Sequence, residues 1–323
     1  MKYLFSSLPL ADMAHRHPIT YFDISSRGGF QDDLHPLAFG VDAVGFEPDP
    51  EEFRHLQTLP PGPWKSVMLL PHGISAQSGP QTLHVPADPQ SASLLKHDQA
   101  IGKKFNKPQF FEIQRQIEIQ TLSLSDALGE TDFSSVDYLK IGIEGAELPV
   151  FRFAPELMKT ALALKTEMSF IPFRTDQPLA SEVDQFLGGG GFELMDIAGP
   201  AHWRRHGYLI HPYYSPETPP YSKGQIVQAD FLYLRDADSL SEDLPRLLKL
   251  ALIAMSLGYF DHALMALERP AVADHLAREY KKTPLEMVAP ASKLYGRKMF
   301  IRAVHRQVRD LIPFLRYSKN LVR

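Results

Sequence analysis

Carboxylates directly follow two short apolar runs near the start of the chain. Ile19 to Phe22 is followed by Asp23, and Ala43 to Phe46 is followed by Glu47. Both runs have the composition of buried strands, and Pro48 ends the second because proline cannot donate to a sheet ladder. Parallel strands of an open α/β sheet bind nucleotide-like ligands at their carboxyl ends. There a carboxylate such as Glu47 accepts hydrogen bonds from both hydroxyls of a ribose.

The turn after Asp23 indicates which nucleotide-like ligand fits. It reads S-S-R-G-G over residues 25–29, so only Gly28 and Gly29 are glycine. A dinucleotide site needs G-x-G-x-x-G, because a pyrophosphate must approach the backbone closely. Asp23 would also repel a pyrophosphate, whereas it suits a ligand with a cationic end, such as the amino and sulfonium groups of S-adenosylmethionine. The alternative is an ordinary parallel strand pair whose acids are solvated.

Three blocks of the sequence resemble the signature blocks of the FkbM-type methyltransferases. They read D-I-S-S-R-G-G from residue 23, G-F-E-P-D-P-E-E-F-R-H-L from residue 45, and V-D-Y-L-K-I-G-I-E-G-A-E-L-P-V-F from residue 136. The similarity extends over residues 18 to 235. The resemblance implies a class I, S-adenosylmethionine-dependent methyltransferase and, usually, O-methylation of a hydroxyl on a glycan or natural product. A sugar in a glycan or glycolipid is the acceptor that we expect.

Two positions depart from the family pattern. Ser25 replaces a glycine, a change that serine accommodates if its φ angle is negative. Gly142 replaces an aspartate at the end of the fourth strand, beside the expected reaction centre. The rival interpretation is therefore a catalytically degenerate relative that keeps the fold as a binding or assembly module. An NAD-dependent oxidoreductase is a more distant alternative, because the turn lacks the required glycines.

The third block contains the residues that we expect near the acceptor. Glu144 follows the predicted strand Val136 to Ile141, and Glu167 closes the fifth strand. Lys140 lies on a buried strand, so it must snorkel or pair, most simply with Glu144 or Glu167. Methyl transfer to a hydroxyl needs positioning and a base for the proton. The predicted catalytic residues are Lys140, Glu144 and Glu167. For Glu147, a helix-start role is equally open.

The loop after the third strand, Lys65 to Leu70, completes the predicted cofactor site. In class I methyltransferases this loop flanks the adenine ring, so the resemblance implies contacts from His72 or Ser75. A surface histidine in a turn is the alternative for His72. The predicted cofactor-binding residues are Asp23, Ser25, Gly28, Glu47, His72 and Ser75.

The order of the predicted elements gives the fold class. Seven strands with helices between them indicate an α/β fold with a Rossmann-like, seven-stranded, mostly parallel sheet and flanking helices. We expect this methyltransferase domain to span residues 1–238, and a helical C-terminal extension to span 239–323. Within the extension, Leu244 to Leu257 and Asp261 to Leu267 form a predicted helical hairpin with Gly258 at its turn.

A loop rich in aromatic residues is predicted between the last two strands, from Gly199 to Lys223. Its Trp and Tyr residues suit the faces of sugar rings, and its Arg and His residues suit hydroxyls, so it is a candidate acceptor lid. A loop that packs its aromatic rings on the sheet edge is the alternative. Its histidines lack a metal-ligand spacing, so no metal site is predicted.

The composition limits the class of protein. The chain has 323 residues, 44% of them hydrophobic, a formal net charge of −4 and no cysteine. Disulfides, thiolate metal sites and cysteine nucleophiles are thereby excluded. The acidic balance argues against a nucleic-acid partner. No apolar run approaches the roughly 20 residues that span a bilayer, so we expect a cytoplasmic protein. The oligomeric state is left open.

The last predicted helix, Lys293 to Arg323, is strongly basic. It carries nine Lys or Arg residues against Asp310 alone, with apolar residues at helical spacing. Such a helix suits an anionic membrane surface, which would hold the protein at the inner face of the membrane. An acidic patch of its own domain or of a partner is the alternative.

Overall fold

Ten strands and eleven α-helices form the part of the chain that this computed structural model describes, residues 3–205 and 224–318, with side chains up to residue 309. The strands are β1 (Ile19–Ile24), β2 (Val41–Phe46), β3 (Ser66–Leu70), β4 (Gly73–Ile74), β5 (Gly79–Pro86), β6 (Ile113–Leu122), β7 (Tyr138–Ile141), β8 (Ala163–Ser169), β9 (Phe192–Trp203) and β10 (Gln225–Arg235). The helices are α1 (Leu10–Arg16), α2 (Pro50–Thr58), α3 (Gln99–Phe105), α4 (Leu124–Gly129), α5 (Glu147–Arg152), α6 (Pro155–Thr160), α7 (Ala180–Gly189), α8 (Leu244–Leu257), α9 (Phe260–Leu267), α10 (Pro270–Glu279) and α11 (Pro284–Ser318).

Seven strands form one mostly parallel sheet in the order β3-β2-β1-β7-β8-β10-β9. The pairs among β3, β2, β1, β7 and β8 are parallel, and β10 is antiparallel to both β8 and β9. Helices cover both faces, so the predicted Rossmann-like class I methyltransferase fold is confirmed. The strand order reverses between β1 and β7. In open α/β sheets such a switch point is where the ligand crevice forms.

The two faces of the sheet are buried by different helices, which explains the apolar composition of its strands. Ile19 and Tyr21 of β1 point to a core that they share with α1 and the C-terminal helices. Phe22 and Ile24, which alternate with them, point to the other core, with α4, α5, α6 and α7. All six residues of β1 are buried, as are all six of β2. Polar groups at the carboxyl ends of these strands are therefore held on a rigid base.

The C-terminal hairpin packs against the sheet. Gly258 ends α8 in the left-handed conformation, with φ of 99°, and the chain reverses into α9, as the sequence predicts. Leu247, Leu250 and Ile253 of α8 are completely buried in the cluster that contains Tyr21 of β1. The helices after residue 239 thus supply one wall of the sheet's core.

The small sheet β4-β6-β5 is inserted between β3 and β7. β5 and β6 form an antiparallel hairpin, and β4 pairs with β6 in parallel. Leu83, Val85 and Ile119 form its own small core. The insertion begins directly after β3, so it starts at the carboxyl edge of the large sheet.

Several element boundaries differ from the sequence-based expectation. Asp23 lies inside β1 and Glu167 inside β8, whereas the sequence placed both at strand ends. β9 continues to Trp203, so the predicted lid loop does not begin at Gly199. Most of that loop, residues 206–223, lies outside the described residues. α11 begins at Pro284, earlier than Lys293. Among the described residues, no helix is long and apolar enough to span a membrane.

Candidate active site

A cavity of about 280 Å³ lies at the carboxyl edge of the sheet, beside the switch point between β1 and β7. Its wall includes Ser25 after β1, Glu47 after β2, His72 after β3, and Glu144 after β7. Leu83 and Ile119 of the inserted small sheet also line it. The fold therefore brings residues from all three sequence blocks to one cavity.

Glu47 presents a carboxylate to this cavity from the end of β2. The residue is only 3% exposed. Its Oε1 accepts the backbone N–H of Asp49 at 2.9 Å, and Arg27 Nη2 lies 3.6 Å from the same oxygen. Burial raises the pKa of this carboxyl, and the Asp49 amide and Arg27 oppose the shift. Both described contacts use Oε1, so Oε2 remains for a ligand.

The turn after β1 adopts a conformation that serine rarely takes. Ser25 has φ of 69°, in the left-handed region, so the condition under which serine replaces glycine without strain is not met. The backbone N–H groups of Ser25 and Ser26 both donate to the carbonyl of Phe46, at 3.1 and 3.0 Å. These two bonds attach the turn to the end of β2 and hold Ser25 in its strained conformation.

Gly28 serves the turn and does not line the cavity. Its φ is 78°, and its N–H donates to Glu52 Oε1 at 3.0 Å. The prediction that Gly28 contacts a cofactor therefore has no support from its position. Its glycine is explained by the left-handed backbone alone.

Asp23 is completely buried and does not reach the cavity. Its Oδ2 accepts the hydroxyl of Tyr21 at 2.8 Å, and Lys140 Nζ lies 3.1 Å from Oδ1. Burial raises the pKa of Asp23, and the charge of Lys140 opposes that shift. The prediction that Asp23 binds the cationic end of a cofactor is thus replaced by an ion pair within the protein. Its pocket-facing partner is Lys140.

Lys140 lines the cavity, and its predicted pairing with Glu144 or Glu167 is wrong. Besides Asp23, its ammonium donates to the carbonyls of Ser25 at 3.1 Å and Ile24 at 3.4 Å. β7 is the direct neighbour of β1, and Asp23 stands opposite Lys140 in the register. The ammonium of Lys140 is therefore directed at the end of β1 and at the first residue of the turn after it.

Glu144 and Glu167 form a carboxyl pair on the wall of the cavity. Arg174, which is only 3% exposed, places Nη2 at 2.5 Å from Glu144 Oε2. Glu144 has a left-handed φ of 60°, and its carbonyl accepts the hydroxyl of Ser93 at 2.9 Å. Burial, followed by the negative charge of Glu144, raises the pKa of Glu167 well above its usual value. Glu167 therefore keeps its proton to a higher pH than an ordinary carboxyl does.

Glu147 holds the loop between β7 and α5. Its buried carboxylate accepts N–H groups from Ile143 and Gly145, at 3.0 Å each. Burial raises its pKa to about 7, and the accepted amide bonds oppose the shift. Glu147 does not line the cavity, so the structure supports its helix-start role.

His72 and Ser75 differ in their relation to the cavity. His72 lines it, and its Nδ1 is buried without a hydrogen-bond partner among the described residues. Ser75 is buried away from the cavity, where its hydroxyl donates to the carbonyl of Gln77 at 2.5 Å. Only His72 is therefore positioned to contact a ligand directly.

Lys165 and Asp230 line the cavity but escaped the sequence analysis. Asp230 stands opposite Glu167 in the register of β10 with β8, and burial raises its pKa. Lys165 Nζ lies 3.2 Å from Asp33 Oδ2 and 3.9 Å from Asp230 Oδ2. The sequence order does not reveal that the last strand neighbours the fifth. The only feature of the sequence that could have indicated Asp230 is its polar position in the alternating pattern of the last strand.

Comparisons with known proteins identify the family of the chain. Residues 34–209, more than half of the chain, match the family described as the methyltransferase FkbM domain. A crystal structure of a proposed RNA methyltransferase, PH1948 from Pyrococcus horikoshii, is similar at 10% sequence identity with a TM-score of 0.27, over 70% of this chain and 79% of that one. No curated protein matches the sequence.

Replacing Ser25 by glycine should stabilise the protein. Glycine removes the free-energy cost of holding a Cβ in the left-handed region. This gain exceeds the entropic cost that glycine adds by making the unfolded chain more flexible, so the unfolding free energy should rise by about 0.5–1 kcal/mol. Ser25→Ala is the control, because it removes the hydroxyl and keeps the strained Cβ. Urea denaturation measures both variants. A gain in Ser25→Ala equal to that in Ser25→Gly would contradict this account.

The raised pKa of Glu167 predicts that stability falls as pH rises. Between the ordinary carboxyl pKa and the folded value, the folded state binds more protons than the unfolded state, so unfolding free energy decreases with pH. Glu167→Gln removes this contribution, so the variant should exceed the wild type in unfolding free energy at pH 8. At pH 4.5 the two should be similar.

Urea denaturation across this pH range measures the difference. Glu156→Gln is the matched control, because the Glu156 side chain is 80% exposed. It should follow the wild type at every pH. If the unfolding free energy of Glu167→Gln depends on pH as that of the wild type does, the raised pKa of Glu167 is refuted.

Proposed function

Because the chain belongs to the FkbM methyltransferase family, we propose that it is an S-adenosylmethionine-dependent O-methyltransferase whose acceptor is a hydroxyl, of a sugar in a glycan or glycolipid. The observation that carries the cofactor assignment is Glu47, whose carboxylate closes β2 and lines the cavity. A buried carboxylate at this edge suits the two hydroxyls of a ribose.

Other residues of the cavity also fit this cofactor. His72 Nδ1 is a buried polar atom without a partner among the described residues, which suits an adenine or ribose contact. Ser25 adds backbone groups from the turn beside the switch point. Asp23, by contrast, contributes through Lys140 and the turn and makes no direct contact. We expect Glu47, His72 and the Ser25 turn to hold the cofactor.

The proposed reaction needs positioning and removal of one proton. S-adenosylmethionine supplies an electrophilic methyl group on a sulfonium. The acceptor hydroxyl loses its proton as the new C–O bond forms, and a nearby carboxylate takes it. Glu144 is the candidate base, because it lines the cavity beyond the end of β7, whereas the raised pKa of its neighbour Glu167 favours the protonated form of that carboxyl. Lys140 acts as a positioning residue, since all its N–H groups already have acceptors.

The rival is a non-catalytic relative that binds the cofactor and has lost turnover at Gly142. An added Cβ at Gly142 would lie 4.0 Å from both Lys140 Nζ and the Cβ of Glu167, so an aspartate side chain fits there. The retained Glu144 and Glu167 favour the active enzyme, because they supply carboxyls at the same place. Formation of S-adenosylhomocysteine with a sugar acceptor separates the two functions.

Calorimetry with S-adenosylmethionine tests the cofactor assignment. Glu47→Gln keeps the shape of the side chain and removes its charge, so it should weaken binding about tenfold to hundredfold, the value of a hydrogen bond to a charged group. Glu51→Gln is the matched control on the exposed side of α2 and should bind as the wild type does. A wild-type protein that does not bind at millimolar cofactor refutes the proposed function.

We further propose that α11 attaches the enzyme to an anionic membrane surface. The first part of the helix is packed into the core, where Met287 and Ala291 are fully buried. Farther along, Phe300 is 70% exposed, Val304 44% and Val308 57%, at spacings of four residues. Basic residues at 298, 302 and 306 are offset from this stripe by two positions and lie on the opposite side of the helix. The described part of this stripe is therefore not covered by the enzyme's own domain.

Flotation with vesicles tests this attachment. Each basic residue near an anionic surface contributes about 1 kcal/mol, so the protein should float with phosphatidylglycerol vesicles at low salt and much less with phosphatidylcholine vesicles. Phe300→Ser with Val304→Ser should reduce flotation. Leu285→Ser is the control, because Leu285 is 61% exposed at the other end of α11. A protein that stays soluble with anionic vesicles at low salt contradicts the proposal.

A further inference from the structure

A second cavity, of about 260 Å³, adjoins the first at the carboxyl pair. Glu144, Glu167 and Gln90 line both cavities. The second cavity lies beyond these residues as seen from the first. There it is bounded by the segment that follows α3, by the end of β9 and by Gln228 of β10. A molecule in it would face the carboxyl pair from the side opposite Glu47. This is the placement that an acceptor needs with respect to a cofactor in the first cavity.

One wall of the second cavity is aromatic. Trp203 and Phe110 are stacked, with ring centroids 5.7 Å apart and planes inclined by 9°. Phe111 and Phe173 also line the cavity and contact Trp203 at 6.2 and 5.0 Å between centroids. These neighbours fix the indole in place. A rigid aromatic face suits the C–H groups of a sugar ring.

Arg174 adds a charged hydrogen-bond donor to the lining of this cavity. It is 3% exposed, and its Nη2 donates to the carbonyl of Ser91 at 3.0 Å and pairs with Glu144. Its Nε is buried and has no hydrogen-bond partner among the described residues. A buried donor without a partner is costly, so it is best explained by a ligand oxygen that accepts from it.

The charges around the second cavity balance without a ligand. Arg174 pairs with Glu144, and burial together with that neighbouring charge raises the pKa of Glu167, which favours its uncharged form. Among the described residues that line the second cavity, Arg174 is the only cation and is already paired, so a phosphate or a carboxylate placed there would carry a substantial desolvation cost. Hydroxyl groups, in contrast, are satisfied by the carboxyl oxygens and by the Arg174 donor.

We propose that this second cavity is the acceptor site, and that the acceptor is a single uncharged sugar ring which stacks on Trp203 and directs a hydroxyl towards Glu144. The volume lies near the lower end of ligand cavities, which favours one ring over an oligosaccharide inside it. The inference rests on the proposed function for the place of the cofactor. It adds the acceptor's position and charge.

Tryptophan fluorescence tests this site directly, because the chain has only two tryptophans. Trp64 lies against Tyr21 and Phe30 in the core and lines neither cavity. In the Trp64→Phe variant, all indole emission comes from Trp203. The test titrates this variant, in the presence of S-adenosylhomocysteine, with three kinds of sugar: neutral methyl glycosides, methyl glucuronide and glucose 1-phosphate. At least one neutral glycoside should shift Trp203 emission saturably, and the charged sugars should bind about tenfold or more weakly.

Two further measurements protect the test. If Trp64→Phe does not fold, the wild-type protein is titrated instead. A fluorescence change that comes from Trp203 should then be absent when the same titration is done with Trp203→Phe. Gln228→Leu alters the second cavity alone and should weaken the glycoside roughly threefold to tenfold while S-adenosylhomocysteine affinity is unchanged. Gln120→Leu, at an exposed position of β6, is the matched control and should have no effect.

The two proposals fail in different ways. If S-adenosylhomocysteine does not bind in calorimetry, the proposed function is wrong. If it binds and no neutral glycoside perturbs Trp203 at millimolar concentration, the acceptor site is wrong. If the charged sugars bind as well as the neutral ones, the inferred charge of the acceptor is wrong.

Discussion

The ion pair between Lys140 and Asp23 connects the two central strands at the point where the sheet reverses its order. Asp23 is fully buried, so its charge needs a compensating partner within the protein. Lys140 supplies it and, with its other N–H groups, holds the carbonyls of the turn after β1. That turn is also bonded to the end of β2. The positions of Ser25, Glu47 and the cavity between them therefore all depend on this pair.

The acidic side chains around the cavity serve different purposes because their surroundings differ. Glu47 accepts an amide bond at one oxygen and keeps the other for a ligand. The carboxylate of Glu147 accepts hydrogen bonds from backbone N–H groups of its own loop. Glu144 and Glu167 lie close enough that the charge of one raises the pKa of the other. Residue type alone does not assign these roles, since all four are glutamates at the same edge of the sheet.

The sequence allowed the α/β fold class to be predicted and placed Glu47 and His72 at the edge of the sheet where the cavity lies, because both follow from local apolar runs and from the residues next to them. The partner of Lys140 was missed, since it is set by which strands are neighbours and by their register. The left-handed φ of Ser25 has a similar origin, because it is imposed by bonds to Phe46, which is distant in sequence. Asp230 went unnoticed because β10 inserts beside β8 out of chain order.

The burial of α8 against the sheet also constrains how the chain is made. The hydroxyl of Ser256 donates to the carbonyl of Asp33, across 223 residues of sequence, and α1 shares its core with α8. During synthesis, that face of the sheet stays uncovered until the ribosome has released the hairpin α8–α9. Closure over such long sequence separations is slow, and the exposed apolar face invites aggregation meanwhile. A nascent chain that has not yet reached α8 is therefore a natural client for chaperones.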